Sequence, residues 1–319
     1  DEPDLAAKGM ALDALGRIGG EQAVSILMAA RPKLPPDLKV RGASALLRCA
    51  EALAASGNNR QAAVILEKLT APDEVSFIRS AAFVARVRAL GDQGAALVSS
   101  ALEGNDPVLQ TAAFRALRAS GNARLAQRAA ESLDKLPPQL QAQLIAWLGE
   151  LGDPSAIPVL SKAASSSTPE VKQAALSALG PVGDASVVPL LAKTAAQGTD
   201  DDKKLIVESL VRLRGADVDG AMIELLAKAP PAEQRELIRG LVLRKAASAV
   251  PALLVLAGNK DSEVRAEAVI AVGRLGNQSA CDGLLKALTI DPDGAAAAMA
   301  EICRREGTVA PMLAVLKKA

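Results

Sequence analysis

The 319-residue sequence has no histidine and no tyrosine, one tryptophan, three phenylalanines and three cysteines. Each shortage closes a route. Without histidine there is no Ser-His-Asp or Cys-His arrangement, no imidazole zinc site, and none of the commonest general base near neutral pH. With aromatics at 1 %, the core has to be built from Ala, Leu, Val and Ile. Ala and Leu lead the helix-propensity ranking, and small side chains let helices approach to about 8 Å. An excess of one charge is also missing: 37 basic and 36 acidic residues leave a net +1, without the basic stripe of a nucleic-acid module. The longest charge run, Asp200-Asp201-Asp202-Lys203-Lys204, cancels most of its own charge and reads as a helix start, its acids at the positive end of the dipole. No apolar stretch approaches the ~20 residues of a membrane span. The chain opens on Asp1 with no signal-type leader, so a processed or excised piece of a longer protein is expected.

What the sequence does have is a beat. Gly19, Gly57, Gly91, Gly121, Gly152, Gly183, Gly215, Gly276 and Gly307 recur about every 31 residues, and Lys245 stands where the missing one belongs. Counting back from Gly152 gives Leu151, Leu148, Leu144 and Leu140; from Gly183, Val182, Leu179, Ala175 and Val171; from Gly276, Leu275, Val272, Ala268 and Val264. Steps of three and four place each set on one stripe of an α-helix. Glycine suits the left-handed residue that ends a helix, and the Asp or Asn after it (Asn122, Asp153, Asp184, Asn277) caps the next one. Pro158, Pro189 and Pro251 follow about six residues past the beat, where a second helix is expected to hold them in its first turn.

These signals predict an all-α fold: an α-solenoid, or superhelix, of about ten helical hairpins, each completed by its neighbours. It is read as a single array over 1–319, with repeats near 4–30, 37–70, 75–103, 106–134, 137–165, 168–197, 199–228, 230–258, 261–289 and 291–318. The early intervals are longer because Arg31-Pro32-Lys33-Leu34-Pro35-Pro36 makes a loop and the helix after it is extended.

Asp261-Ser262-Glu263-Val264-Arg265-Ala266-Glu267-Ala268, running on to Gly273-Arg274-Leu275-Gly276-Asn277, resembles a HEAT repeat, closest to the short phycobilisome-lyase HEAT-like subtype. Thr168-Pro169-Glu170-Val171-Lys172 through Gly183-Asp184 and Val188-Pro189-Leu190-Leu191 match the same pattern. The chain is also similar, at Leu213–Asp219 and Ala300–Arg305, to HEAT arrays in large secreted or periplasmic bacterial multidomain proteins. The resemblance implies a spacer and docking surface rather than an enzyme, and a periplasmic or secreted setting ahead of a cytoplasmic one. The iron of the HEAT enzymes of the deoxyhypusine hydroxylase class is held by His-Glu pairs, for which this chain has no histidine.

The function expected is therefore a non-catalytic scaffold binding a protein or a neighbouring domain along a concave face lined by second helices. No catalytic, cofactor or metal residue is assigned, and no nucleic acid or membrane span is expected. The alternative is a phycobilin-lyase-like or other enzyme-associated module with a concave ligand pocket. Some residues admit two readings. Trp147 is a stacking platform or an amphipathic ring packed between helices. Cys49, Cys281 and Cys303 are small buried hydrophobes, unless Cys281 and Cys303, on adjacent antiparallel helices, form a disulfide, which requires Cα atoms within about 7 Å. Asp261, Glu263 and Arg265 are a site, or a helix cap and inter-repeat link. Asn277-Gln278-Ser279 is a glycosylation sequon in an exposed turn. Both terminal repeats lack the polar outer face of a cap, so Met312, Leu313 or Leu316 is expected to be exposed, with self-association through the ends.

Overall fold

Leu and Ala spaced by three and four make helices, and helices are what the chain forms. The structure, a computed structural model, describes residues 2–215, 217–309, 312 and 313. Among the described residues there is no strand, and no helix long and apolar enough to cross a membrane. Contacts divide the chain into two units, Asp1–Trp147 and Leu148–Ala319.

In the first unit the leading helices of the hairpins are α1 (Glu2–Ile18), α3 (Pro36–Ala55), α5 (Ser76–Leu90) and α7 (Pro107–Ser120). The trailing helices are α2 (Gly20–Ala30), α4 (Asn59–Lys68), α6 (Ala95–Glu103) and α8 (Ala123–Ala130). Each leading helix packs on the next leading helix, and α2, α4 and α6 lie against the leading helix that follows. The core is Leu38, Leu46, Leu53, Leu66 and Leu69 with Ala43, Ala45, Ala50 and Ala62. The expected early loop holds a 3-10 turn at Arg31–Lys33 before α3 starts at Pro36.

Helix α9 (Pro138–Leu151) precedes the same arrangement in the second unit. There α11 (Pro169–Val182), α13 (Asp200–Arg212), α15 (Pro231–Leu243), α17 (Ser262–Leu275) and α19 (Pro292–Glu306) lead. Helices α10 (Ile157–Ala163), α12 (Val188–Gln197), α14 (Val218–Leu226), α16 (Val250–Leu256) and α18 (Cys281–Ala287) trail, each against the next leading helix. Of the twelve residues counted back from the three glycines, Leu144, Leu148, Val171, Ala175, Leu179, Val182, Val264, Ala268 and Val272 are core, while Leu140, Leu151 and Leu275 are half-buried. The chain is thus an all-α solenoid. Most of the final trailing segment lies outside the described residues, Leu316 included; of its expected exposed face, Leu313 is exposed and Met312 half-buried.

The helix ends follow the sequence signals, with one correction. Gly57, Gly121, Gly152 and Gly307 have positive φ, as does Lys245 (φ 58), the one non-glycine residue of that kind among those described. Gly183 and Gly276, read from sequence as left-handed ends, are extended, with φ −74 and −71. Space rather than φ requires glycine there. A Cβ on Gly183 would lie 2.6 Å from the Leu179 carbonyl oxygen, and one on Gly276 2.7 Å from that of Val272. Asn122, Asp153, Asp184 and Asn277 each accept from the backbone N–H two residues on, at 2.8–3.1 Å. Single 3-10 turns then lead into α10, α12 and α16, whose first turns carry Pro158, Pro189 and Pro251.

Arginine ties neighbouring hairpins together in the second unit. Arg244 donates to the carbonyls of Leu210, Val211 and Leu213 at 3.0, 3.1 and 3.3 Å. Arg305 does the same to Gly273 and Arg274 at 2.9 and 2.8 Å, and to Gly276. Each arginine thereby satisfies carbonyls that the end of the preceding leading helix leaves without an intrahelical partner.

Candidate interaction cleft

Three residues before the beat glycine, α9, α11 and α17 carry a residue that faces the next leading helix. In all three it is glycine. A Cβ on Gly149 would lie 2.8 Å from the Ala178 Cβ, one on Gly180 3.2 Å from the Ser209 Cα, and one on Gly273 3.0 Å from the Ala298 Cα. Those seams close backbone to backbone. In α13 and α15 the same position is Arg212 and Val242. Helix α15 instead packs on α12 as well as on its neighbours α13, α14 and α17. Gly240 makes room for α14, since a Cβ there would lie 2.7 Å from the Met222 Cε.

A cleft of ≈ 650 Å³ lies over α15, walled by α13 and α17. Val207, Ile238 and Ala271 line it as buried side chains, Val242 as a half-buried one, and Leu243 and Ile270 as exposed ones. Asp200, Lys203, Lys204 and Glu208 come from α13, Glu236 and Arg239 from α15, Glu267 and Arg274 from α17.

Arg239 bridges the two acids: it donates to Glu236 Oε1 at 3.0 Å and twice to Glu267 Oε1, at 3.2 and 2.8 Å. The Glu267 hydrogen bonds, against the opposing effect of burial, hold its guanidinium above the usual arginine pKa. Glu236 itself is buried, and its Oε2 accepts no hydrogen bond from the protein. The start of α13 is fixed by a reciprocal cap: Thr199 Oγ1 accepts from the Asp202 N–H and Asp202 Oδ2 from the Thr199 N–H, both at 3.2 Å. Lys172 reaches Asp202 from α11 at 2.8 Å, and this bond above all holds the carboxyl below its usual pKa although burial pushes the other way. On the trailing-helix side, α16 and α18 line a hollow of ≈ 360 Å³ in which Leu254 and Val255 meet Gly283 and Ile290.

The residues singled out from sequence do not converge on this cleft. Trp147 is buried, so it offers no stacking surface. Cys49, Cys281 and Cys303 are all buried and free, so no Cys281–Cys303 disulfide is formed. Their place is that of small core side chains: Cys49 Sγ donates to the Leu15 carbonyl at 3.5 Å, and burial first, then the neighbouring Cys303, pushes the Cys281 thiol up. Asp261 caps α17, accepting from the N–H of Glu263 and of Val264 at 3.0 Å. Glu263 pairs with Arg235 of the preceding hairpin, and Arg265 donates to the Asn259 carbonyl at 2.8 Å. All three serve the fold. Asn277 spends its side-chain oxygen on the Ser279 N–H and hydroxyl. Sequence reasoning missed Glu236, Arg239 and Glu267; the signals available were Val242 in a glycine position and the lost glycine at Lys245.

Stacked hairpins whose leading and trailing helices each contact the next hairpin define an α-solenoid repeat protein. The HEAT repeats pattern matches residues 126–211 and 219–303, more than half of the chain, and the PBS lyase HEAT-like repeat pattern matches 7–30. The chain belongs to the HEAT-repeat family. Among solved structures it is similar to human deoxyhypusine hydroxylase in complex with glycerol, at 17 % identity over 78 % of this chain and 98 % of that one, with a TM-score of 0.35. A structure describing Kap95p binding to RanGDP is similar at 11 % identity over 89 % of this chain and 44 % of that one, TM-score 0.44. An engineered protein is similar at 21 % over 76 % and 96 %, TM-score 0.25. No curated protein matches the chain.

Proposed function

We propose that this chain is a non-catalytic interaction scaffold whose partner is another protein or a neighbouring domain. The observation that carries the reading is the cleft over α15, where Leu243 and Ile270, 57 % and 49 % exposed, stand beside buried Ile238 with charged side chains on both walls. An apolar centre inside a polar rim is the make-up of a protein-binding patch. The family's usual role in protein interaction supports the same reading, and the absence of histidine from the sequence leaves the scaffold ahead of an enzyme. The sequence pointed to trailing helices as the binding face; this cleft belongs to the leading helices.

The test is a photo-crosslinking amino acid placed at Leu243, and separately at Val255 on α16, in cells that carry the gene. A protein adduct from either position is the expected result. Adducts from neither, together with a small metabolite that stabilises the chain against heat, would replace the scaffold with an enzyme-associated module. Self-association is a finer form of the same proposal: Met10 and Ile18 on α1 are 64 % and 76 % exposed, and Val309 and Leu313 68 % and 51 %. It predicts a sedimentation coefficient that rises with concentration and falls back when Ile18 is replaced by Asp.

A further inference from the structure

A carboxylate buried with one oxygen unserved is costly, because the group has given up water without a donor in return. Glu236 is in that position: it is 4 % exposed, Oε1 accepts from Arg239, and Oε2 is shut from solvent with no donor. The other buried acid of this region, Asp202, has both Lys172 and the Thr199 N–H on its Oδ2. Holding Arg239 does not explain Glu236 either, since Glu267 already takes two of that guanidinium's N–H groups. An orphaned acid beneath a cleft whose mouth carries two exposed apolar side chains is the arrangement of an unfilled binding hot spot.

We infer that the cleft over α15 is a docking groove for a partner-protein segment that lowers an arginine or lysine onto Glu236 between apolar side chains seated on Leu243 and Ile270. This rests on the scaffold reading and names its partner's chemistry. An ionised carboxylate oxygen only accepts, so the group that satisfies it is a donor. The lining as a whole balances four acids with four bases, but at Oε2 itself an anion is disfavoured, whereas a cation adds a charge-assisted bond in a site already out of water. A bare cation would leave Leu243 and Ile270 wet, so the occupant carries apolar groups as well. Lys204 and Arg274, on opposite walls, suit the backbone carbonyls or an acid of the same segment. Glu236 lines the cleft, and its terminal bond is a broad two-fold torsion, so the carboxylate can turn toward an occupant while Arg239, its side chain 44 % exposed, stays on Glu267.

The experiment pans a displayed library of random peptides, each of about 12 residues, against the whole chain and measures synthetic copies by fluorescence polarisation. Enriched peptides are expected to carry Arg or Lys next to Leu, Ile or Phe. Replacing that arginine by citrulline, or Glu236 by Gln, should each weaken binding by about tenfold or more, a change of about 1.4 kcal/mol. The two changes together should cost little beyond either one, as a direct pair requires. Ile270→Asp should abolish binding and Val255→Asp should leave it intact. If Glu236→Gln fails to fold, as read by circular dichroism, the citrulline peptide and the surface change Ile270→Asp decide the matter with the site acid intact. Peptides without a basic residue, additive effects of citrulline and Glu236→Gln, or no enrichment at all would each overturn the proposal. Binding lost in Val255→Asp but not in Ile270→Asp would overturn it and leave the scaffold reading standing.

Discussion

The seam between α17 and α19 and the ground over α15 are built from the same repeat, yet one is shut and the other open. At the first, Gly273 puts backbone against Ala298, with 3.0 Å left for a Cβ. At the second, Val242 holds the glycine's place and lines a cleft of ≈ 650 Å³. With glycine there the neighbouring leading helices close backbone to backbone, whereas α15, with Val242, still packs on α17 but leaves a cleft beside it. The difference teaches that a repeat array can form a cleft by loosening a seam, with no inserted loop. The electrostatics differ in step. At the closed α11–α13 seam Lys172 and Asp202 satisfy one another, whereas at the open one Arg239 is shared by two acids and an oxygen is left over.

The sharpest way to break the comparison is to hollow a closed seam. Leu148, 2 % exposed and next to Gly149, should cost roughly 2–5 kcal/mol as Leu148→Ala, read as a lower urea midpoint. Because a repeat's contacts are mostly with its neighbours, that loss is expected to unfold the middle first and split the transition in two. A loss below about 0.5 kcal/mol would show that the seam is not where the glycine count puts it. Overfilling comes next. Gly149→Val places a Cβ 2.8 Å from that of Ala178 and should cost about 1–3 kcal/mol, against about 0.5 kcal/mol or less for Ile270→Ser in the open cleft.

The third effect is pH-dependent. The Asp202 carboxyl is held below its usual pKa, first by the Lys172 hydrogen bond, so the fold favours its ionised form. That contribution is whole above the ordinary carboxylate value near about 4 and is lost as pH falls through the depressed one. Lys172→Met should therefore remove roughly 1–2 kcal/mol at neutral pH and flatten the acid limb of the stability curve. An unchanged limb would assign acid sensitivity elsewhere. The smallest change runs the other way. Lys245 sits at φ 58, closing α15 with the Ala246 N–H donating to the Leu241 carbonyl at 3.0 Å. Lys245→Gly should stabilise by about 0.5–1 kcal/mol in a thermal melt, since glycine adopts that conformation without the Cβ penalty.

Much of this was legible because it is local. Glycine spacing marked the ends of α9, α11 and α17, and the residues counted back from them are buried as the helical period requires, except that Leu140, Leu151 and Leu275 are half-buried. Asp153, Asp184 and Asn277 cap where the sequence put them. Gly183 and Gly276 were misread for an instructive reason: φ and crowding both select glycine, and a sequence shows only the selection. Trp147 and the three cysteines drew attention by rarity, which says nothing of place; all four are core. Glu236 drew none, because an acid on a helix is ordinary until its neighbours bury it.

By itself the sequence determined the helices, their ends, the stacking period and the aliphatic core, since these depend on residues within one or two turns of each other or one repeat apart. Only the tertiary structure decided that α15 would settle onto α12, that Arg239 would be drawn between Glu236 and Glu267, and that one carboxylate oxygen would be closed in without a donor. Those outcomes depend on side-chain volumes meeting across three helices, and no period in the chain encodes that sum.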